Sequence, residues 1–139
     1  MTTRPVADDL FVESAGSPHL LGSRCSHCDT TTFPQQQSCP RCTRWEMVRE
    51  ELPSTGTLWS FTVQGFRPKA PYQGPEEFTP YGVGYVDLDG RILVESRLTE
   101  NDPNRLRIGA PVELVLEPLR TDPDGTVVLS YAFATRAER

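Results

Sequence analysis

No run of apolar residues in this 139-residue chain approaches the roughly 20 needed to cross a membrane. The N-terminal stretch MTTRPVADD has no apolar centre of the kind a secretion signal carries. Both absences lead us to expect a cytoplasmic protein. Catalytic signatures are lacking as well: there is no GxSxG elbow, no GxxxxGKS/T phosphate loop and no GxGxxG following a strand. Histidine is scarce, since only His19 and His27 are available as imidazole bases. Positive charge is outnumbered, with 14 Lys and Arg against 19 Asp and Glu and a formal net charge of −5. Affinity for phosphate backbones comes mainly from Lys and Arg displacing counterions, so this balance argues against a nucleic-acid-binding role.

Turn-forming residues, by contrast, are abundant: 13 prolines and 10 glycines suit short strands better than long helices. The length allows a small metal-stapled module plus one compact barrel, and excludes two large domains. Residues 6–15 (VADDLFVESA) place Val6, Leu10, Phe11 and Ser14 near one helical face and end at Gly16 and Pro18. This spacing predicts a short amphipathic helix, whose Leu10 and Phe11 either cover the rest of the chain or dock on another subunit.

From Thr55 the apolar pattern changes to the two-residue period of strands. Strands are predicted over 56–66, 81–88, 91–98, 112–117 and 126–133, with Trp59 and Phe61 facing the interior. Asp89-Gly90 signals a tight hairpin, a single helical turn fits before Leu106, and the segment 67–80, with four prolines, reads as a long loop. Five strands with a helical turn between the third and fourth fit the OB-fold barrel, although the count alone also allows an SH3-like barrel. The two glycines of Tyr81-Gly82-Val83-Gly84-Tyr85 permit either strong barrel curvature or close approach of a ligand to the backbone.

All four cysteines lie in two knuckles, Cys25-Ser26-His27-Cys28 and Cys39-Pro40-Arg41-Cys42, separated by ten residues. A disulfide framework does not suit a reducing cytosol, whereas paired CxxC knuckles, brought together by an intervening hairpin, converge four thiolates on one tetrahedral ion. One structural Zn²⁺ is expected, with a rubredoxin-like iron centre the alternative. Four thiolates leave no open position for water or substrate, and His27 is read as a solvent-facing knuckle residue rather than a ligand. With its cysteines committed to metal, the chain has no thiol to act as an acyl-accepting nucleophile.

Taken in order, RCSHCDTTTFPQQQSCPRC, GTLWSFTV, PYGVGYVDLDG, LRIGAPVELVLE and SYAFA resemble the DUF35 family of OB-fold proteins with a rubredoxin-like zinc ribbon, over nearly the whole chain. The resemblance implies a mainly β fold, with an N-terminal helix and zinc ribbon over residues 1–52 and a five-stranded OB-fold domain over 53–139. It also implies a non-catalytic partner of a thiolase-like enzyme, a thiolase, aldolase or sterol-carrier-protein-type thiolase, in which the barrel helps hold acyl-CoA while the partner supplies the chemistry. The 65–80 segment looks closest to family members serving steroid side-chain or aromatic acyl-CoA degradation. On this reading Arg67, Lys69, Tyr72, Arg91 and Arg97 are candidate contacts for CoA or for the partner, the cationic ones through its phosphates. The competing reading is a single-stranded nucleic-acid module, in which aromatic residues such as Trp59 and Tyr85 would stack on bases.

Overall fold

The computed structural model describes residues 2–7, 9–14, 16–65 and 80–135. The first part of the chain carries β1 (Thr3–Pro5), β2 (Phe11–Ser14), β3 (Ser17–Cys25), β4 (Thr31–Thr32) and β5 (Met47–Glu51). The second carries β6 (Thr55–Gln64), β7 (Tyr81–Leu88), β8 (Ile92–Leu98), β9 (Pro111–Thr121) and β10 (Val127–Thr135). A single 3-10 turn at Pro103–Arg105 lies between β8 and β9, where the helical turn was expected.

Strands β6 to β10 close on themselves. β7 pairs with β6 and β8, β9 pairs with β6 and β10, and a short parallel contact between β10 and β8 completes the ring. This is the five-stranded OB-fold barrel. Its interior holds Leu58, Val86, Leu88, Val94, Leu98, Val112, Leu114 and Phe133, with Leu106 from the segment after the 3-10 turn. Alternation along β8 runs as read from the sequence: Val94 and Ser96 are buried, Leu93 and Glu95 exposed. Asp89 and Gly90 both have positive φ, 59° and 70°, and the Arg91 N–H donates to the Leu88 carbonyl at 3.1 Å, as a tight hairpin requires.

The glycines of β7 serve the barrel's own backbone. Gly82 and Gly84 are buried and pair with Leu98 and Ser96. A Cβ at Gly82 would lie 2.5 Å from the Glu100 carbonyl, and one at Gly84 would lie 2.7 Å from that of Ser60. The strands can approach this closely only without side chains at these positions.

Two expectations are corrected. The helix read over residues 6–15 gives way to strand β2, which pairs with β3 in the register Phe11↔Leu20 to Ser14↔Ser17. Gly16, taken as a helix stop, turns this hairpin with φ 81°, and Asp9 at φ 62° is incompatible with a helix passing through it. Ten residues form a marginal helix at best, whereas pairing with β3 lets Phe11 pack against the core. The second correction concerns Trp59, which is 55% exposed rather than interior. A bulge shifts the β6–β7 register between Leu58↔Val86 and Ser60↔Tyr85, so the side-chain phase flips at Trp59. Leu58 is buried before the bulge, and Phe61 and Val63 pack against the core after it.

The ribbon is seated on the barrel by three kinds of contact. Leu20 of β3 and Leu52, both buried, join the barrel core, and the Leu52 N–H donates to the Leu20 carbonyl at 2.8 Å. Phe33 meets Tyr131 of β10 edge to face, with ring centroids 5.6 Å apart. Arg91, at the end of the β7–β8 hairpin, reaches both Glu50 and Thr31 at 2.8 Å.

Candidate functional site

Each cysteine pair is set by a tight local turn. The Asp29 N–H donates to the Cys25 carbonyl at 2.8 Å, the Thr43 N–H to the Cys39 carbonyl at 2.9 Å, and both closing residues have left-handed backbone, φ 67° and 65°. The first knuckle caps the β3–β4 hairpin, with Ser23↔Thr32 and Arg24↔Thr31 in register. The hairpin therefore surrounds the first knuckle instead of separating the two. Pairing of β5 with β3, Cys25↔Met47 to Leu21↔Glu51, returns the chain beside the first knuckle after the second has formed.

The four Sγ atoms lie within 4.8 Å of one another, with Cys25–Cys42 at 3.7 Å and Cys28–Cys39 at 3.5 Å. Zn–S bonds of about 2.3 Å in a tetrahedron imply S–S edges of about 3.8 Å, so the cluster has the dimensions of a four-thiolate site. Its electrostatics also suit a divalent cation. Backbone N–H groups of Cys42 and Arg41 both point at Cys39 Sγ from 3.4 Å and hold that thiol down at about 6. The Thr30 hydroxyl, 3.1 Å from Cys28 Sγ, lowers the Cys28 thiol below its ordinary value. Cys42 receives help from the Arg44 backbone N–H, yet burial and the other thiols push it up to about 12. Four thiolates at this spacing repel one another unless a cation sits among them. Cys25, Cys28, Cys39 and Cys42 are positioned to bind one metal ion, and a zinc there would have all four positions filled by sulfur, so that its contribution would be to folding. His27 is exposed and adds no ligand atom to the cluster.

A polar network borders the site. Arg24 pairs with Asp29 at 3.4 Å and Glu50 at 3.3 Å, and Glu50 pairs with Arg91 of the barrel. Together with Cys28, Thr30, Thr31 and Arg41, Asp29 and Arg91 line a cleft of about 450 Å³ beside the first knuckle. A larger groove of about 760 Å³ runs along the ribbon, lined by Leu10, Ser23, Gln36, Trp45, Met47 and Arg49 among others.

Of the residues proposed to contact CoA, Arg67, Lys69 and Tyr72 lie outside the described residues. Arg91 and Arg97 sit at opposite ends of β8, about 20 Å apart at about 3.4 Å per residue. Arg97 lies over the Tyr81 ring at 4.2 Å and pairs with Glu117 at 3.8 Å. Burial raises the Glu117 carboxyl above its ordinary range, and Arg97 partly offsets this. In the N-terminal segment Leu10 lines the ribbon groove and Phe11 packs against the core. His19, one of the two candidate bases, has Nδ1 2.9 Å from the Leu52 carbonyl and serves the ribbon–barrel junction. Sequence reasoning missed Thr30 and the Arg24–Glu50–Arg91 network. Thr30 is legible in retrospect as the residue two beyond a CxxC ligand, whereas the network depends on how the ribbon lies against the barrel.

Comparison with known proteins agrees with this architecture. Residues 12–46 match the ChsH2 rubredoxin-like zinc ribbon domain and residues 49–117 the ChsH2 C-terminal OB-fold domain. Among curated relatives, the benzoylsuccinyl-CoA thiolase subunit BbsA of Thauera aromatica is 33% identical over 84% of this chain and 76% of its own. A DUF35 domain-containing scaffold protein of Methanocaldococcus jannaschii is 28% identical over 82% and 79%. Among solved structures, the Ltp2-ChsH2(DUF35) aldolase superposes with a TM-score of 0.63 at 26% identity, covering 84% of each chain. No helix among the described residues is long and apolar enough to cross a membrane. On the twin-knuckle thiolate site, the closed five-stranded barrel and these matches, the chain belongs to the DUF35 family of zinc-ribbon and OB-fold proteins.

Proposed function

We propose that this chain is a non-catalytic partner subunit of a thiolase-like acyl-CoA enzyme, a thiolase, aldolase or lyase, which it stabilises and whose acyl-CoA it helps to hold. The observation that carries this reading is the similarity, over most of both chains, to a protein named as a thiolase subunit. Likeness to the DUF35 component of a two-protein aldolase supports it from the structural side. The chemistry of the chain points the same way. Every cysteine belongs to the four-thiolate cluster and His19 is bound at the ribbon–barrel junction, which leaves no thiol for acyl transfer and fits a division of labour in which the partner supplies the nucleophile.

In the division of labour proposed, residues 1–52 hold the metal and residues 53–139 form the OB domain, with the parallel pairing of β1 and β10 tying the chain's beginning back to the barrel. Acyl-CoA would lie along the end of the barrel where Arg97 stacks on Tyr81, the residue that follows in sequence soon after Arg67, Lys69 and Tyr72. Orienting a thioester at a partner's catalytic residues can lower a barrier by several kcal/mol without chemistry from this chain. Free thiols grouped for metal suit a reducing cytoplasm, where we place the protein.

Reconstitution tests the assignment. The chain and the thiolase-like subunit that co-purifies with it are prepared separately and together, and acyl-CoA cleavage is assayed. Activity is expected only from the mixture. Full activity from the partner alone, or turnover by this chain alone, would remove the proposal.

A further inference from the structure

The barrel wall formed by β6, β7 and β8 turns three large apolar side chains to solvent on one face. Trp59 is 55%, Tyr85 43% and Leu93 42% exposed. They are neighbours by register: Ser60, Tyr85 and Glu95 form one cross-strand row and Thr57, Asp87 and Leu93 the second row along, with the buried Leu58, Val86 and Val94 and the bulged Trp59 between them. The indole meets the Tyr85 ring edge to face, with centroids 6.4 Å apart, so the two rings are held together on the surface. Single exposed apolar residues are ordinary, but a contiguous group placed by a bulge, a device that re-aims side chains, marks a recognition surface.

The rim of this face selects its occupant. Asp87 and Glu95 lie in the cross-strand rows of Leu93 and Tyr85, and Asp89 lies in the turn after β7. Among the described residues none of the three has an ion-pair partner, whereas Arg97, one outward row beyond Tyr85, is already paired with Glu117, and Glu50, Glu100 and Asp122 are likewise paired with arginines. Two copies of the face would set carboxylates against carboxylates, and a phosphate backbone or an anionic membrane would meet the same repulsion. The fitting counterpart is an apolar socket rimmed by Lys or Arg on another protein. A three-stranded face of about 14 by 25 Å offers about 350 Å², under half of the roughly 800 Å² per partner of a standard interface. The contact must therefore extend past the strands. Ile108, 68% exposed, lies beside this face, because the next residue's N–H donates to the Leu58 carbonyl at 2.8 Å.

We propose that this outer face, centred on Trp59, Tyr85 and Leu93, is the surface on which the thiolase-like subunit seats, with Trp59 and Tyr85 as the anchors and the acidic rim matched by basic residues of the partner. The inference rests on the functional reading above and adds the face and its chemistry.

The test measures binding of the purified chain to the thiolase-like subunit that co-purifies with it. Trp59→Glu and Tyr85→Glu should each weaken binding at least 30-fold, while Trp45→Glu, on the exposed ribbon Trp45, changes it less than 3-fold. Glu95→Lys should slow association several-fold at low salt, an effect that shrinks in 0.5 M salt, roughly three times the ionic strength at which the Debye length is about 8 Å. Zinc content and circular dichroism check that each variant is folded. Independently of any variant, hydrogen exchange in the complex should show new protection at 57–62 and 83–95. If the wild type binds and the variants bind within 2-fold of it, or protection appears only elsewhere, the face is wrong while the functional reading stands. If the wild type binds no thiolase-like subunit, both fall. Self-association, or binding to a short single-stranded oligonucleotide, that is abolished by Trp59→Glu would also overturn the proposal by showing a different occupant.

Discussion

Thr43 closes the second zinc knuckle with φ 65°, in a region where a β-branched residue is a rarity. Asp29 holds the equivalent place in the first knuckle at φ 67°, but a short polar side chain tolerates this conformation better. Left-handed backbone costs an L-residue roughly 1–2 kcal/mol, and glycine escapes that cost while losing about 0.5–1 kcal/mol more in chain entropy. Thr43→Gly should therefore stabilise the ribbon by about 0.5–1 kcal/mol, read as a higher denaturant midpoint of the zinc-loaded protein. Asp29→Gly should give no gain, because it also removes the ion pair to Arg24. Gly84 presents the opposite case. A methyl group there would meet the Ser60 carbonyl oxygen at 2.7 Å and the Leu58 side chain at 2.9 Å. Backbone oxygen cannot swing aside, so Gly84→Ala should cost roughly 2–3 kcal/mol as an overpacked core, visible as a lower melting temperature at unchanged zinc content.

At the scale of elements, legibility followed how much each segment's pattern depended on its neighbours. Strands β7 to β10 announced themselves because their sequences alternate at period two, with Val94 and Ser96 inward on β8 and Val112 and Leu114 inward on β9, and because Asp-Gly, Asn-Asp-Pro or Asp-Pro-Asp-Gly turns separate them. On β7 the apolar Tyr81, Val83 and Tyr85 share the outward face, while Gly82 and Gly84 are buried. The cysteine site was equally plain, since a twin CxxC fixes both ligand type and number. The N-terminal segment misled because Val6, Leu10, Phe11 and Ser14 satisfy a helical face as well as Phe11-Val12-Glu13-Ser14 satisfies a strand. The partner β3 decided between them, and partner strands are not visible in a local window. Trp59 misled because alternation assumes an unbroken register, and one bulge reverses its phase. The β7–β8 hairpin illustrates a contact beyond local reading altogether. Arg91 at its end bridges to Glu50 and Thr31 of the ribbon, and Arg24 extends the network. Partly exposed ion pairs in a network are worth on the order of 1 kcal/mol. Arg91→Ala should lower stability by about that amount, less in high salt, and a double-mutant cycle with Glu50→Gln should show a coupling of about 0.5–1 kcal/mol.

On the scale of the whole molecule, the zinc ribbon and the barrel share one core. Leu20 and Leu52 lie at 0% and 1% exposure among the barrel's own interior residues, and Leu20 belongs to β3, the strand that ends at the zinc ligand Cys25. Metal binding is coupled to folding in a ribbon this short, because four thiolates at S–S distances near 3.5 Å repel one another without the cation. Withdrawing zinc should thus loosen β3 and its neighbours β4 and β5, and with them the wedge that Leu20 drives into the barrel. Losing a buried leucine side chain from a core costs roughly 2–5 kcal/mol. For a domain of this size each kcal/mol moves the melting temperature by about 3–5 °C, so the barrel transition should fall by roughly 6–25 °C. The measurement is a pair of thermal melts followed by far-ultraviolet circular dichroism, with and without a thiol-compatible chelator, together with release of about one zinc per chain. Cys39→Ser should reproduce the chelator's effect, and Leu20→Ala should lower the barrel transition even with zinc bound. A barrel that melts at the same temperature in all four samples would show that the two parts fold independently despite their shared interior. A coupled transition instead makes the zinc a stabiliser of the whole subunit, and therefore of the barrel face we assign to the thiolase-like partner.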